Sequence, residues 1–218
     1  MRNIAIIPIR QNSRRFPGKN FYTIGDDPLF GLVGKVAMKS NIFSDVYIAI
    51  EDTSKIEEYC KNNGLKTFTR SKNSASDNAQ TEDVLLEFVH SECVQNNDWV
   101  TLIQATCPFQ TKQYFQDLQK QINKECFNSV ITRIKFKRFF IDEVIDESFI
   151  RSRTQDMDER FLETGLFWSF KVKNFIESKN RIIKPVGYVD IKSGDDADID
   201  YKNDLDLILA RLIKEINS

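Results

Sequence analysis

Four cations, Arg10, Arg14, Arg15 and Lys19, crowd one stretch, "RQNSRRFPGKN" at residues 10–20, with Ser13, Asn20 and the pair Pro17 and Gly18 among them. Guanidinium and ammonium groups make charge-assisted hydrogen bonds to phosphate oxygens, and a glycine lets backbone N–H groups approach an anion. The chemistry this stretch suits is holding a phosphate chain; the plainer reading is a solvated basic loop. Net charge is −1 and the sequence pI is about 6.0, so the cluster is local. That balance argues against nucleic acid or an anionic membrane as the partner. Neither GxxxxGK[ST] nor GxGxxG occurs, which sets aside the P-loop and the dinucleotide fingerprint.

A second chemical feature lies far along the chain. Asp198 and Asp200 are two residues apart, so on extended backbone both carboxylates point to one face, where together they can hold a hard cation such as Mg²⁺. The alternative is an acidic loop before a helix, since Asp195, Asp196, Asp204 and Asp206 are close by. The single histidine, His90, lies in a helical pattern with no nucleophile to serve, so a triad is not expected. Cys60, Cys93, Cys107 and Cys126 form no CxxC pair; reduced thiols and a cytoplasmic location are expected rather than a zinc or disulfide framework. No apolar run is long enough to span a membrane, and the first residues do not read as a secretory signal.

The elements that must position these groups follow from the hydrophobic pattern. Strands are expected at Ile4–Ile9, Val46–Ile50, Lys66–Thr69, Trp99–Gln104, Ser129–Arg133, Leu166–Phe170 and Val186–Ile191. Helices are expected at Leu29–Lys39, Thr53–Asn63 (ended by Gly64), Thr81–Cys93, Lys112–Lys124 and Asn203–Ile216. Thr81 is a candidate N-cap. Alternating strands and helices imply βαβ units: an α/β, Rossmann-like, mostly parallel mixed sheet with helices on both faces. In such sheets ligands bind beyond the C-terminal ends of the strands, where the basic loop leaves the first strand. One domain spans residues 1–218. Within it, residues 135–165 break the rhythm with Phe136, Phe139, Phe140, Ile141, Val144, Ile145 and Phe149, and read either as a dimerisation hairpin or as a hairpin closing one end of the sheet.

Four stretches, in order, resemble the acylneuraminate cytidylyltransferases, the synthetases of CMP-linked acidic nonulosonic sugars. Arg10, Ser13, Pro17, Lys19 and Asn20 match R-x-x-S-x-x-x-P-x-K-N. "RSKNSASDNAQTED" (70–83) resembles the nucleotide segment, "LIQATCPFQ" (102–110) resembles L-x-Q-x-T-S-P-L-R, and "DADIDYKNDLDLIL" (196–209) resembles D-I-D-x-x-x-D-L. A fifth, "RSRTQDMDERFLETGLFWSF" (151–170), resembles a sugar-site segment of nonulosonate synthetases.

The resemblance implies a Rossmann-like nucleotidyltransferase fold, Mg²⁺ as cofactor, a homodimer, and transfer of CMP from CTP to the anomeric hydroxyl of an acidic sugar with release of pyrophosphate. It implies Lys19, Arg10 and Asp200 as catalytic residues. Nucleotide contacts would come from Arg10, Ser13, Lys19, Asn20, Arg70, Thr81 and the backbone at Ala79, with Asp77 a further match. Sugar contacts would come from Gln104, Arg153, Gln155 and Asp156, and the metal from Asp198 and Asp200. Arg14 and Arg15 match no fixed position and read as solvated loop charges. The chain departs from the pattern at Cys107, Gln110 and Leu162, where the family carries serine, arginine and, in some sialic-acid members, arginine. The arginine for the sugar carboxylate is then sought at Arg160 or Arg138, and legionaminic or pseudaminic acid becomes a better candidate than N-acetylneuraminate. An eight-carbon ulosonate, another nucleotide, or a catalytically silent nucleotide-binding relative stay open.

Overall fold

A computed structural model describes residues 1–216 apart from Asn12, Asp77, Glu92 and Glu147, with side chains as far as Leu212. Asp77 thus lies outside the described residues. In chain order the elements are β1 (Asn3–Pro8), β2 (Thr23–Ile24), β3 (Asp27–Pro28), α1 (Leu29–Lys39), β4 (Asp45–Ile50), α2 (Glu57–Asn62), β5 (Lys66–Thr69) and α3 (Thr81–Val89). There follow β6 (Trp99–Ile103), α4 (Lys112–Ile122), β7 (Ser129–Phe136), α5 (Ile141–Val144), β8 (Arg160–Lys171), α6 (Val172–Ser178), β9 (Val186–Asp190) and α7 (Lys202–Ile216).

Seven strands form one sheet in the order β5-β4-β1-β6-β8-β7-β9. Every neighbouring pair is parallel except those of β8, which runs antiparallel to both β6 and β7. β1 and β6 read as near-continuous apolar runs because both their faces are covered, and buried Thr101 is satisfied by Asn3 and Ser169. Ala5 and Ile7 pack among residues of α1 and α4, whereas Ile4 and Ile6 pack among residues of α3 and α6. A third cluster of Ile24, Leu29, Phe109, Ile199, Leu205 and Ile208 fixes α7 beside the loops that follow β6 and β9. No helix among the described residues is long and apolar enough to cross a membrane.

Several expectations need correction. Thr53–Asn63 is not one helix: a 3₁₀ turn at Thr53–Lys55, capped by Asp52, is separated from α2 by Ile56 at φ −126°. α3 stops at Val89 rather than Cys93, with exposed His90 as its C-cap. Its N-cap is Gln80, whose backbone N–H donates to the Asp83 carboxylate at 2.8 Å, so Thr81 is the first helical residue and not the cap. The 135–165 region does not close an end of the sheet. Its two strands, β7 and β8, are longer than expected and sit inside the sheet, β9 forming the edge, while their outer halves project as an arm.

Close packing at Gly31 gives one stability prediction. A Cβ there would run into the ring and hydroxyl of Tyr59, which donates to Asp27 Oδ1 at 2.7 Å. Gly31→Ala is expected to cost about 1–3 kcal/mol by overpacking, read from urea unfolding; an unchanged midpoint would show that Tyr59 yields freely.

Candidate active site

The basic loop leaves the C-terminal end of β1. Gly18 takes φ +73°, a left-handed conformation that turns the chain into the Lys19–Phe21 3₁₀ turn; open space surrounds its missing Cβ, so backbone conformation is what demands glycine. Buried Asn20 donates from Nδ2 to Arg10 O at 3.1 Å, and Arg10 Nη2 donates to Ala79 O at 3.2 Å. The loop is thereby tied to the segment preceding α3.

A cavity of about 440 Å³ opens where the sheet's loops converge, lined by Arg10, Ser13, Arg14, Arg15, Lys19, Asn20, Arg70, Thr81 and the 102–106 segment including Gln104. Arg70 is 4% exposed. It donates to Ile9 O at 3.4 Å and to Ser74 O, so it bridges the basic loop and the 70–80 segment. Burial, then the nearby Arg10 charge, lowers its pKa. Arg14 and Arg15, read as solvated charges, belong to the cavity wall. Arg15 pairs with Asp200 at 2.6 Å and lies 5.5 Å from the ring centre of Tyr201.

The acidic pair adjoins this wall, in contact with Arg15, Lys19 and Gln104. Buried Ile199 points into the third cluster, and its N–H donates to Thr106 O at 3.0 Å. Asp198 and Asp200 flank it. Lys19 Nζ donates to Ile199 O at 2.6 Å and to Asp200 Oδ1 at 3.2 Å. Gln104 Nε2 donates to Asp198 Oδ2 at 3.2 Å, while Asp198 Oδ1 is buried with no hydrogen-bond partner. Such an oxygen suits a cation, which is the fit expected of a metal ligand. Among the described residues no cluster of three or more His, Cys, Asp or Glu side chains could hold a metal, so further ligands to one here would be phosphate oxygens and water. Asp204 accepts from the N–H groups of Asp200 and Tyr201 at 2.9 and 2.7 Å, capping α7 rather than facing the cavity.

Some expected residues do not meet here. Ala79 has its carbonyl occupied by Arg10 and is not on the cavity wall. Arg153, Gln155 and Asp156 lie exposed on the arm, in and beside the Thr154–Asp156 3₁₀ turn, away from the cavity of their own chain. Of the two arginines sought for a carboxylate, Arg160 is taken by Glu143 at 2.6 Å, and Arg138 lines a separate basic hollow on the arm with Lys137 and Arg151. Gln110 donates to Gln104 O at 3.3 Å and Leu166 O at 3.1 Å, supporting the turn from below. Cys107 is fully buried, and burial, then the Asp198 charge, raises its thiol well above the ordinary value, so it stays neutral.

Glu87 is a support that sequence reasoning did not single out. Its carboxylate accepts from Ser71 N–H at 3.0 Å, from Ser74 Oγ at 2.7 Å and from the Ser71 hydroxyl, bracing the segment that holds Arg70. Burial raises its pKa, but the Ser71 and Ser74 hydrogen bonds and the Arg70 charge outweigh that, and the net shift is downward from 4.5. A carboxyl lowered on folding contributes stability that is complete above its unfolded pKa and is lost as pH falls through the folded one. Glu87→Gln is therefore expected to flatten the decline of stability below pH 4.5. Urea midpoints measured from neutral to acid pH check this; parallel curves for parent and variant would exclude it.

Comparison with known proteins bears on this site. A family model described as "Cytidylyltransferase" matches residues 4–179. The chain is 27% identical over 230 residues to a pseudaminic acid cytidylyltransferase of Campylobacter jejuni, covering all of this chain and 98% of that protein. It is 27% identical over 177 residues to an N-acylneuraminate cytidylyltransferase of Oncorhynchus mykiss, covering 76% of this chain and 40% of that longer protein. Among solved structures, CMP:2-keto-3-deoxy-manno-octonic acid synthetase complexed with CTP superposes with a TM-score of 0.74 over 99% of this chain and 100% of that one, at 15% identity.

Proposed function

The chain belongs to the cytidylyltransferase family, and from that premise we propose that it transfers CMP from CTP to the anomeric hydroxyl of an acidic nonulosonic sugar, releasing pyrophosphate. The observation that carries this reading is one cavity lined by Arg10, Arg15, Lys19 and Arg70, to whose wall the Asp198–Asp200 pair is joined through Gln104, Arg15 and Lys19. A cationic wall suits a triphosphate; the buried, unpartnered Asp198 oxygen suits the cation that accompanies one. The full-length likeness to a pseudaminic acid enzyme supports a nine-carbon acid as acceptor.

In this reading the sugar hydroxyl passes its proton to the Asp200 carboxylate and attacks the α-phosphorus, and the bond to the β,γ-pyrophosphate breaks. Lys19, held by the Ile199 carbonyl and Asp200, meets the charge that develops on the leaving group. Arg10 and Ser13 bind phosphate oxygens, and Asn20 keeps the Arg10 backbone in place. Arg70 and Thr81, on the cavity wall, would meet the base and ribose, and Gln104 the sugar. Asp198 and Asp200 would hold Mg²⁺, which supplies charge neutralisation at the phosphates. Positioning does most of the work, since no covalent protein nucleophile is needed. The need for CTP accords with a cytoplasmic enzyme.

The arm is proposed as a dimer contact. It exposes Phe140, Ile141, Ile145 and Ile150, an apolar surface that a single chain leaves in water. Pairing two arms would carry Arg153, Gln155 and Asp156 toward the partner's acceptor site. Light scattering is expected to give a dimer for the parent and a monomer for Ile145→Asp; a monomeric parent at assay concentration would end the idea.

The deciding experiment is pyrophosphate release with Mg²⁺ across nucleotides and a panel of N-acetylneuraminate, legionaminate, pseudaminate and an eight-carbon ulosonate. Turnover is expected with CTP and one nine-carbon acid. Turnover with the eight-carbon acid alone would move the assignment to that class; CTP binding without any turnover would favour a silent relative.

A further inference from the structure

Asp198 and Asp200 lie in a loop without regular secondary structure, yet the segment just before them is held by a buried polar network that no motif marked. Asp195 is 5% exposed. Its Oδ2 accepts from the hydroxyl of Tyr114, on α4, and its Oδ1 from Arg211, on α7. The Tyr114 oxygen in turn accepts from Lys192 N–H at 3.1 Å. Arg211 Nη1 donates to Gly194 O at 2.8 Å, and the guanidinium lies 3.8 Å from the ring centre of Phe109. Phe109 belongs to the loop that begins at Gln104, and Gln104 donates to Asp198. Two helices therefore meet at one carboxylate, and the loop that begins at Gln104 reaches it through Phe109 and Arg211.

We infer that Tyr114 and Arg211 are positioning residues for the Asp198–Asp200 pair, acting through Asp195. The inference rests on the function proposed above only for what the pair does; the positioning itself is a property of the chain. A buried carboxylate cannot leave its partners cheaply, so the turn at residues 192–195 is pinned where Tyr114 and Arg211 stand. Ile199, buried four residues later, pins the far side through the Thr106 carbonyl. The intervening backbone has little freedom left, and it carries Asp198. Burial, then the hydrogen bond to Asp195, pushes the Tyr114 hydroxyl up to about 12, so it remains a proton donor throughout the working range. Gly194, at φ +91°, supplies the turn that brings its carbonyl to Arg211.

The test uses Tyr114→Phe, which deletes one oxygen, and Arg211→Lys, which keeps the charge and loses the planar fork. Gly31→Ala is the control for lost stability alone. Amide hydrogen exchange of the full chain without ligands should show faster exchange at residues 195–199 in both variants, with β1 and β6 protected as in the parent. In the pyrophosphate assay the half-saturating Mg²⁺ concentration should rise, or kcat fall, about 10- to 100-fold, as for partners that orient a metal's ligands. The KM for CTP should stay near the parent value, and the control should show neither change. Unchanged exchange at 195–199 in both variants, or an equal change in the control, overturns the inference. Faster exchange there with a parent that never turns over any sugar supports the positioning and sinks the transfer reading instead.

Discussion

Lys19→Ala is expected to slow pyrophosphate release by about 10²- to 10³-fold, the cost of losing one preorganised donor to developing charge, while CTP still binds. The side chain is only 11% exposed, and both of its acceptors, the Ile199 carbonyl and Asp200, are themselves held. Its ammonium is thus in place before any substrate arrives, so little reorganisation remains for the chemical step. The fold should persist: Asp200 keeps Arg15, and Ile199 remains buried in its cluster. Lys19→Arg should recover only part of the rate, because the guanidinium is larger and carries its charge over a plane. Single-turnover kinetics with calorimetry of CTP binding separates the two effects. A variant within a few-fold of the parent rate would remove Lys19 from the catalytic set.

The second large effect is expected at Arg70. Arg70→Leu fills much of the volume but leaves the carbonyls of Ile9 and Ser74 without their donor. Each buried acceptor left unsatisfied costs about 1–3 kcal/mol, so the urea midpoint should fall clearly. Affinity for CTP should weaken about 10- to 100-fold, the equivalent of one charge-assisted hydrogen bond together with a displaced loop. Arg10 leans on Ala79 in the same segment, so both walls of the nucleotide site loosen together. A variant that loses stability but binds CTP as tightly as the parent would make Arg70 a structural residue only.

What the sequence revealed, and what it withheld, follows from the range of the interactions. β1, β4 and β6 were legible because a strand buried on both faces is a near-continuous apolar run. The basic loop was legible because Arg10, Ser13, Lys19 and Asn20 are near neighbours in the chain. The spacing of Asp198 and Asp200 left an acidic loop and a metal pair both open, and only the resemblance to a family chose between them. The ion pair of Arg15 with Asp200 was not, since it joins residues 185 apart, and neither was the bond of Tyr114 to Asp195 across 81 residues. Such partners are set by topology, and no local pattern announces them. The Thr81 cap was misread for a local reason: glutamine at position 80 with aspartate three residues on closes the same box that threonine would. Arg153, Gln155 and Asp156 could be grouped by motif with the sugar site, but motif order does not say which residues one chain brings together.

β8 has a consequence for how such a protein can change over generations. Its inner half is clamped on both sides, Leu102 and Ile131 both pairing with Trp168, and the irregularity between Ile131 and Arg133 fixes the register. Leu166 at the base of this half carries the carbonyl that receives Gln104 N–H at 3.0 Å. The outer half, Arg160–Glu163, pairs only with β7, and none of the described residues in the connection between the two strands lines the cavity. Insertions and replacements at the tip can therefore accumulate while the inner register stays fixed. If the arm meets the acceptor as proposed above, one lineage can exchange acceptors by rewriting it while the cavity stays as it is.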